Sequence, residues 1–319
     1  MAGAASGRAE PVDTFLARWD GASEELRSRL EALHRRLPRR ERGGATETGP
    51  PDLGPFRPIE PLGHGGMGEV WRAFDDHLER DVAIKRLPPA FTSHPTRTER
   101  FRREARLIAS LDHPNIAGVH ALLNTDDGDL LLVMECVEGE NLSARLKRSA
   151  LDPAEAVAVG LQIAQALEAA HGQGVIHRDL KPANIMLHEG RVKVLDFGLA
   201  KQLDNADDVP LTRAGVPMGT PGYMSPEQAM GLKIDLRTDV FGFGALLAEC
   251  FMGERALQGK SLEPSLEAMP AAVPALARTL CQRCLQLDAK ARPESMTEVR
   301  ETLQAIMRGD GRAAPEPTQ

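Results

Sequence analysis

Residues Val175 to Lys201 read VIHRDLKPANIMLHEGRVKVLDFGLAK. Two short apolar runs, Ile185–Leu187 and Val192–Leu195, flank the turn signal His188-Glu189-Gly190. That pattern predicts a hairpin with a polar loop on each side. Asp179 lies five residues before Asn184 and seventeen before Asp196. A hairpin brings its two ends together, so Asp179, Lys181, Asn184 and Asp196 could converge at one end of it. The chemistry of the four groups is complementary. Asp179 could accept a proton, Lys181 could sit beside a transferring anion, and Asn184 and Asp196 could hold a hard cation through oxygen.

His177-Arg178-Asp179-Leu180 followed by Asn184, and then Asp196-Phe197-Gly198, resemble the catalytic loop and metal-binding triplet of protein kinases. The resemblance is to the eukaryotic-like Ser/Thr protein kinases of bacteria. A single Asp-Phe-Gly would carry no weight; both motifs, in order and at this distance, are specific. The resemblance implies an α+β, two-lobed kinase fold over residues 56–307. A small, mainly β N-lobe with one helix would cover 56–135, and a larger, mainly α C-lobe 138–307. Residues 1–55 then form an N-terminal helical extension with a linker, and 308–319 a flexible tail.

Upstream, Gly63, Gly65 and Gly68 make a G-x-G-x-x-G pattern. It runs into Glu69-Val70-Trp71-Arg72-Ala73-Phe74, which alternates polar and apolar and so predicts a strand, not the helix of a dinucleotide site. Two strands joined by such a turn can lay backbone N–H groups over phosphates, because no Cβ holds them off. The strand Asp81-Val82-Ala83-Ile84-Lys85 ends on a lysine, and an ammonium there is costly unless it meets anions. The resemblance names those anions as the α- and β-phosphates of ATP and Glu104, on a helix whose inward face is Phe101, Ala105 and Ile108. It also implies a nucleotide cleft formed by Leu62, Gly63, His64, Gly65, Gly66, Met67, Gly68, Glu69, Val70, Ala83, Lys85, Glu104 and Met186. Backbone groups of Glu135 and Val137 would read the adenine edge, with Met134 guarding the deeper pocket.

By the same resemblance, Asn184 and Asp196 hold Mg²⁺, with Mn²⁺ as a substitute. Asp179 takes the proton of the acceptor hydroxyl and Lys181 stabilises the γ-phosphoryl in flight. Thr220 hydrogen-bonds towards Asp179 and Lys181. Lys181 together with Thr220 implies Ser/Thr as acceptor, and Gly219–Glu227 resembles the peptide-binding segment, with Ser225 in place of alanine. Arg178 precedes the base, a pattern that goes with a phosphate on the activation loop, and Thr212 is the candidate, placed there by autophosphorylation. Asp239 would tie down the catalytic loop and Arg292 would pair with Glu227. Between Gly253 and Arg292 the chain is shorter than in such kinases, which puts their usual substrate-docking surface in doubt.

Bulk properties exclude other classes. The 319 residues are 42% hydrophobic and 27% charged, as in ordinary globular proteins. A net charge of −7 and only 4% aromatic residues argue against nucleic-acid binding, whether electrostatic or by stacking. No apolar run approaches the roughly 20 residues of a membrane span, and the start lacks a signal-peptide core, so a cytoplasmic location is expected. Cys281-Gln-Arg-Cys284 has CxxC spacing, but no second CxxC or His pair accompanies it, and it reads as helical core packing. Phe15, Trp19, Ala22, Leu26, Leu30, Leu33 and Leu37 recur at helical steps, predicting an amphipathic helix over 12–37 that either docks on its own kinase domain or serves partner or self-association. Two other functions remain beside the protein kinase: a pseudokinase-type nucleotide-binding scaffold, and a small-molecule kinase of related fold.

Overall fold

The computed structural model describes residues 51–65, 68–87, 95–126, 128–197, 221–253 and 269–310. The predicted helix over 12–37, the tail from 311, Gly66, Met67, Thr212, Thr220 and residues 254–268 of the shortened segment lie outside them.

The N-lobe is a five-stranded antiparallel sheet in the order β1-β2-β3-β5-β4. Its strands are β1 (Arg57–Gly65), β2 (Gly68–Asp75), β3 (Arg80–Leu87), β4 (Val119–Asn124) and β5 (Leu130–Glu135). Strand alternation sorts the side chains onto two faces. Val82, Ile84, Leu131 and Val133 join Ala73 and Leu53 in one small core. Leu130 and Leu132 face the other way and pack with Phe101, Ala105 and Ile108 of helix α1 (Pro95–Ala109). Leu53 is only 1% exposed, so a residue of the stretch that the sequence assigns to the linker packs into this lobe.

At the turn between β1 and β2 one glycine is obligatory. Gly68 has φ +129°, and a Cβ there would sit 2.0 Å from the carbonyl oxygen of Arg86.

The C-lobe opens with the two-residue strand β6 (Glu140–Asn141) and helix α2 (Leu142–Arg148), capped by the Asn141 side chain. Helix α3 (Pro153–Gly172) has Asp152 as N-cap and proline at its first turn. The predicted hairpin is present as β7 (Ile185–His188) and β8 (Arg191–Val194), paired antiparallel. Helix α4 (Pro226–Ala229) is a single turn. Helix α5 (Arg237–Met252) is buried almost all round, which is why its sequence shows no amphipathic stripe. Helices α6 (Ala275–Cys284) and α7 (Met296–Arg308) close the lobe.

The CxxC cysteines belong to this core, as expected. Cys281 and Cys284 are fully buried, and burial pushes both thiols far above the usual range, Cys284 to about 12. Gly244 of α5 lies against them, where a Cβ would come within 2.5 Å of Cys284 Cβ. The spacing is therefore a packing feature. Among the described residues no helix is long and apolar enough to cross a membrane.

Candidate active site

The catalytic loop is built on one buried carboxylate. Asp239, 1% exposed in the first turn of α5, accepts from the backbone N–H groups of His177 (2.7 Å) and Arg178 (2.8 Å) and from His171 Nε2 (2.8 Å). Burial alone would raise its pKa, but the His171 hydrogen bond and the nearby positive potential hold it below the usual carboxylate range. A carboxylate only accepts, so His171 carries its proton on Nε2. Arg178 stands at φ +64°, a left-handed conformation that needs such external support. His177 continues the same logic. Its Nε2 donates to the Leu195 carbonyl (3.0 Å) and its Nδ1 accepts from the N–H of Asp179 (3.2 Å). Full burial depresses its pKa, keeping the ring neutral, and it packs on Phe197 with ring centroids 4.7 Å apart.

This scaffold brings three predicted residues together. Lys181 Nζ lies 2.8 Å from Asp179 Oδ2, and Asn184 Nδ2 donates to the Asp179 carbonyl at 2.8 Å. Asn184 also accepts from Leu195 N–H through its own carbonyl (2.8 Å), which fixes the residue immediately before Asp196. The amide nitrogen of Asn184 is thus turned to Asp179, leaving its side-chain oxygen for a cation, while the Asp196 carboxylate is one-third exposed. An amide oxygen and a carboxylate suit Mg²⁺, which takes few protein ligands and completes its shell with water and phosphate. The donor set therefore fits the metal that the resemblance implies.

One expected pairing is corrected. Lys85 does not meet Glu104; its ammonium lies 2.7 and 2.6 Å from the two carboxylate oxygens of Asp196. Glu104 instead lines a cavity of about 310 Å³ between α1 and the start of the catalytic loop, with Arg100, Arg103 and Arg178. Helical register does put Glu104 on the side of α1 that faces the C-lobe. Which cation it meets depends on how α1 is set against that lobe, and Arg178 lines the same cavity. Burial there lifts the Glu104 pKa to about 7 against the pull of Arg178, Arg103 and Arg100. A folded-state pKa above the unfolded one means the carboxyl stabilises the fold below the unfolded value and loses that contribution as pH rises through about 7. Glu104→Gln should therefore match the wild type near pH 5 and exceed it near pH 8 by about 1 kcal/mol, after discounting for a half-exposed site. Thermal melts at the two pH values check this.

The remaining cleft residues stand where the strands put them. Ala83 and Lys85 share the face of β3 opposite Val82 and Ile84, and Met186 of β7 pairs with Asn141. Glu135 ends β5 and Val137 follows it, while Leu62 on β1 is 52% exposed. Backbone of Gly63, His64, Gly65, Gly68, Glu69 and Val70 forms the β1–β2 ribbon.

Several contributors escaped the sequence reading. Ser225 caps α4 in a reciprocal capping box with Gln228, and Gln228 Nε2 then donates to the Arg178 carbonyl (2.8 Å). The serine that replaces alanine thus helps tether α4 to the loop that carries Asp179. Tyr223, the chain's one tyrosine, donates to the buried Glu249. A capping pattern, Ser225-x-x-Gln228, was legible; the distant partners were not.

A two-lobed fold with a carboxylate-centred loop at the junction is the frame of a kinase-type domain. The protein kinase domain matches residues 56–305, and the chain belongs to that family, in its bacterial eukaryotic-like Ser/Thr branch. It is 37% identical over 280 residues to the serine/threonine-protein kinase PknA of Mycobacterium tuberculosis, covering 83% of this chain and 64% of PknA. With the serine/threonine-protein kinase pkn2 of Myxococcus xanthus it shares 37% over 269 residues, 79% of this chain and 32% of pkn2. The chain thus spans less than two thirds of each of these relatives. The crystal structure of the M. tuberculosis PknI kinase domain superposes with a TM-score of 0.62 at 28% identity, over 78% of this chain and 95% of that one.

Proposed function

We propose that this protein is a serine/threonine protein kinase that transfers the γ-phosphoryl group of ATP to hydroxyls of proteins, itself included. The observation that carries the reading is the Asp179–Lys181–Asn184 cluster, locked by Asp239 and joined through Leu195 to Asp196. A nucleotide-binding scaffold without activity has no need of a proton acceptor so held. The relatives named as serine/threonine-protein kinases support the same conclusion.

In this reading the glycine-rich ribbon covers the phosphates and Glu135 and Val137 read adenine through their backbone. Lys85 exchanges its contact with Asp196 for one with the α/β-phosphates, and Glu104 swings from the Arg178 cavity to support it. Mg²⁺, held by Asn184 and Asp196, would offset charge on the β- and γ-phosphates. Asp179 orients the acceptor hydroxyl and takes its proton, while Lys181, already 2.8 Å from Asp179, balances the charge on the phosphoryl oxygens. Thr220 aligns Asp179 and Lys181. Most of the acceleration comes from positioning and fixed charge.

Regulation follows from the cavity beside α1. Arg100, Arg103 and Arg178 line it, and a phosphate on Thr212 would compete with Glu104 for Arg178. Binding that phosphate would release Glu104 towards Lys85. Four free cysteines and a reaction fed by ATP suit a cytoplasmic domain, and the 12–37 helix is a candidate for contact with a partner or a second copy.

Incubation with Mg²⁺ and labelled ATP tests the reading. Label should enter the protein and an added Ser/Thr polypeptide, and mass spectrometry should locate phosphate on Thr212. No transfer to any polypeptide would overturn the activity, and a fully active Thr212→Ala variant would remove the regulatory part alone.

A further inference from the structure

The strand that delivers Asp196 also grips the hinge. Lys193 lies three residues before Asp196 on β8. Its ammonium donates to Glu135 Oε2 at 2.8 Å and to the Ile116 carbonyl at 3.2 Å. The same Glu135 oxygen accepts from the Gly118 N–H at 3.0 Å, while the Glu135 N–H donates to the Gly118 carbonyl at 2.8 Å. The segment between α1 and β4 is itself sewn to β8. Ala117 N–H reaches the Val194 carbonyl at 3.0 Å, Val194 N–H reaches the Asn115 carbonyl at 2.8 Å, and Asn115 Nδ2 donates to the Val192 carbonyl at 2.8 Å. Residues 115–118, though they precede β4, are therefore fastened to the C-lobe. The end of β5, where the chain crosses between lobes, is fastened to this unit by Glu135, and Lys193 is the cation that holds Glu135 in place.

We propose that Lys193 is a positioning residue for the nucleotide: it sets the separation between the hinge backbone at Glu135–Val137 and the metal-binding Asp196. This rests on the reading above, in which adenine is held at the hinge and the phosphates at Asp196. Those two anchors lie on different segments, and a nucleotide of fixed length binds well only when their spacing is right. The covalent path between them runs through the whole of α2, α3 and the catalytic loop, too long to fix a spacing. The Lys193–Glu135 contact is a direct side-chain link across, beside the backbone route through β6, β7 and β8.

A bland surface ion pair would behave differently. Lys193 and Glu135 side chains are 26% and 33% exposed, so the pair contributes little to global stability. Its effect should fall on nucleotide affinity and not on unfolding.

The test uses the full chain carrying Lys193→Met, Lys193→Arg, Glu135→Gln, or Lys193→Met with Glu135→Gln. ATP KM, peptide KM, kcat, the Kd for MgADP by calorimetry, and the melting temperature are measured for each. Lys193→Met should raise ATP KM and the MgADP Kd about three- to tenfold, the loss expected for a partly exposed charge-assisted bond. At saturating ATP kcat should stay within about twofold, the pattern of lost ground-state binding. Peptide KM and melting temperature should hold, Lys193→Arg should restore most of the affinity, and the double variant should be no worse than either single one. Unchanged ATP KM and MgADP affinity in Lys193→Met would overturn the proposal while the kinase reading stands, as would a loss that simply tracks a fall in melting temperature. A wild-type protein that neither binds MgADP nor transfers phosphate would overturn both.

Discussion

Asp179→Asn is expected to lower kcat for phosphoryl transfer by about 10²–10⁴-fold, the contribution of a positioned general base. The substitution keeps size and shape. An asparagine oxygen can still accept from Lys181 Nζ, now 2.8 Å from the carboxylate, and the backbone bonds to His177 and Asn184 do not involve the side chain. ATP KM and melting temperature should therefore stay near the wild-type values while turnover falls. Steady-state kinetics on a Ser/Thr peptide separate these quantities. A variant that retains more than about a tenth of the wild-type rate would mean that orientation alone carries the reaction and that the proton leaves by another path.

The second large effect is on stability. Arg292 is buried on α7's N-terminal approach, with its guanidinium 2.7 and 2.8 Å from the two carboxylate oxygens of Glu227 and 5.0 Å from the Phe241 ring. It also donates to the carbonyls of Gln286, Arg237 and Leu287. Glu227 accepts in addition from Thr238 at 2.8 Å. Burial would raise the Glu227 pKa, but the Arg292 bonds and charge bring it below the usual range. Arg292→Met removes the cation and leaves the carboxylate buried with three abandoned carbonyls. Breaking such a pair costs about 3–5 kcal/mol, which for a domain of this size lowers the melting temperature by roughly 10 °C.

The pH dependence should identify the cause. With its folded pKa depressed, wild-type Glu227 contributes stability that is present above the unfolded carboxylate value and lost as pH falls through the folded one. In Arg292→Met the buried carboxylate favours its neutral form. The deficit relative to wild type should thus be greatest near neutral pH and shrink in acid. A deficit independent of pH would assign the loss to the contact of the guanidinium with the Phe241 ring.

Much of the architecture was legible in the chain itself. The hairpin Ile185–His188 and Arg191–Val194 falls where its apolar runs and turn residues put it, and the helix Pro153–Gly172 has its start written in its own residues. Their signals are local: Asp152 and Pro153 start a helix, and Glu189-Gly190 turns a hairpin. Helix α5 carries no polar stripe to mark a period, because the segment is buried on almost every side. Leu53, an isolated apolar residue in a Pro/Gly-rich stretch, packs into the N-lobe core ahead of Phe56, and its burial depends on a sheet formed later in the chain.

At the site, the division is by range. Identity and spacing alone determined that Asp179, Lys181 and Asn184 would meet, because eight residues of backbone from His177 to Asn184 leave few ways to arrange them. Tertiary structure decided the long-range partners: Asp196, not Glu104, for Lys85; Arg178 beside Glu104; His171 for Asp239; Lys193 for Glu135. Each of these joins side chains from separate elements, and a long flexible side chain can satisfy its charge with any counterion within reach. Residue type states that a lysine needs an anion, but only the packing of α1, β3 and β8 against one another states which carboxylate is near enough to supply it.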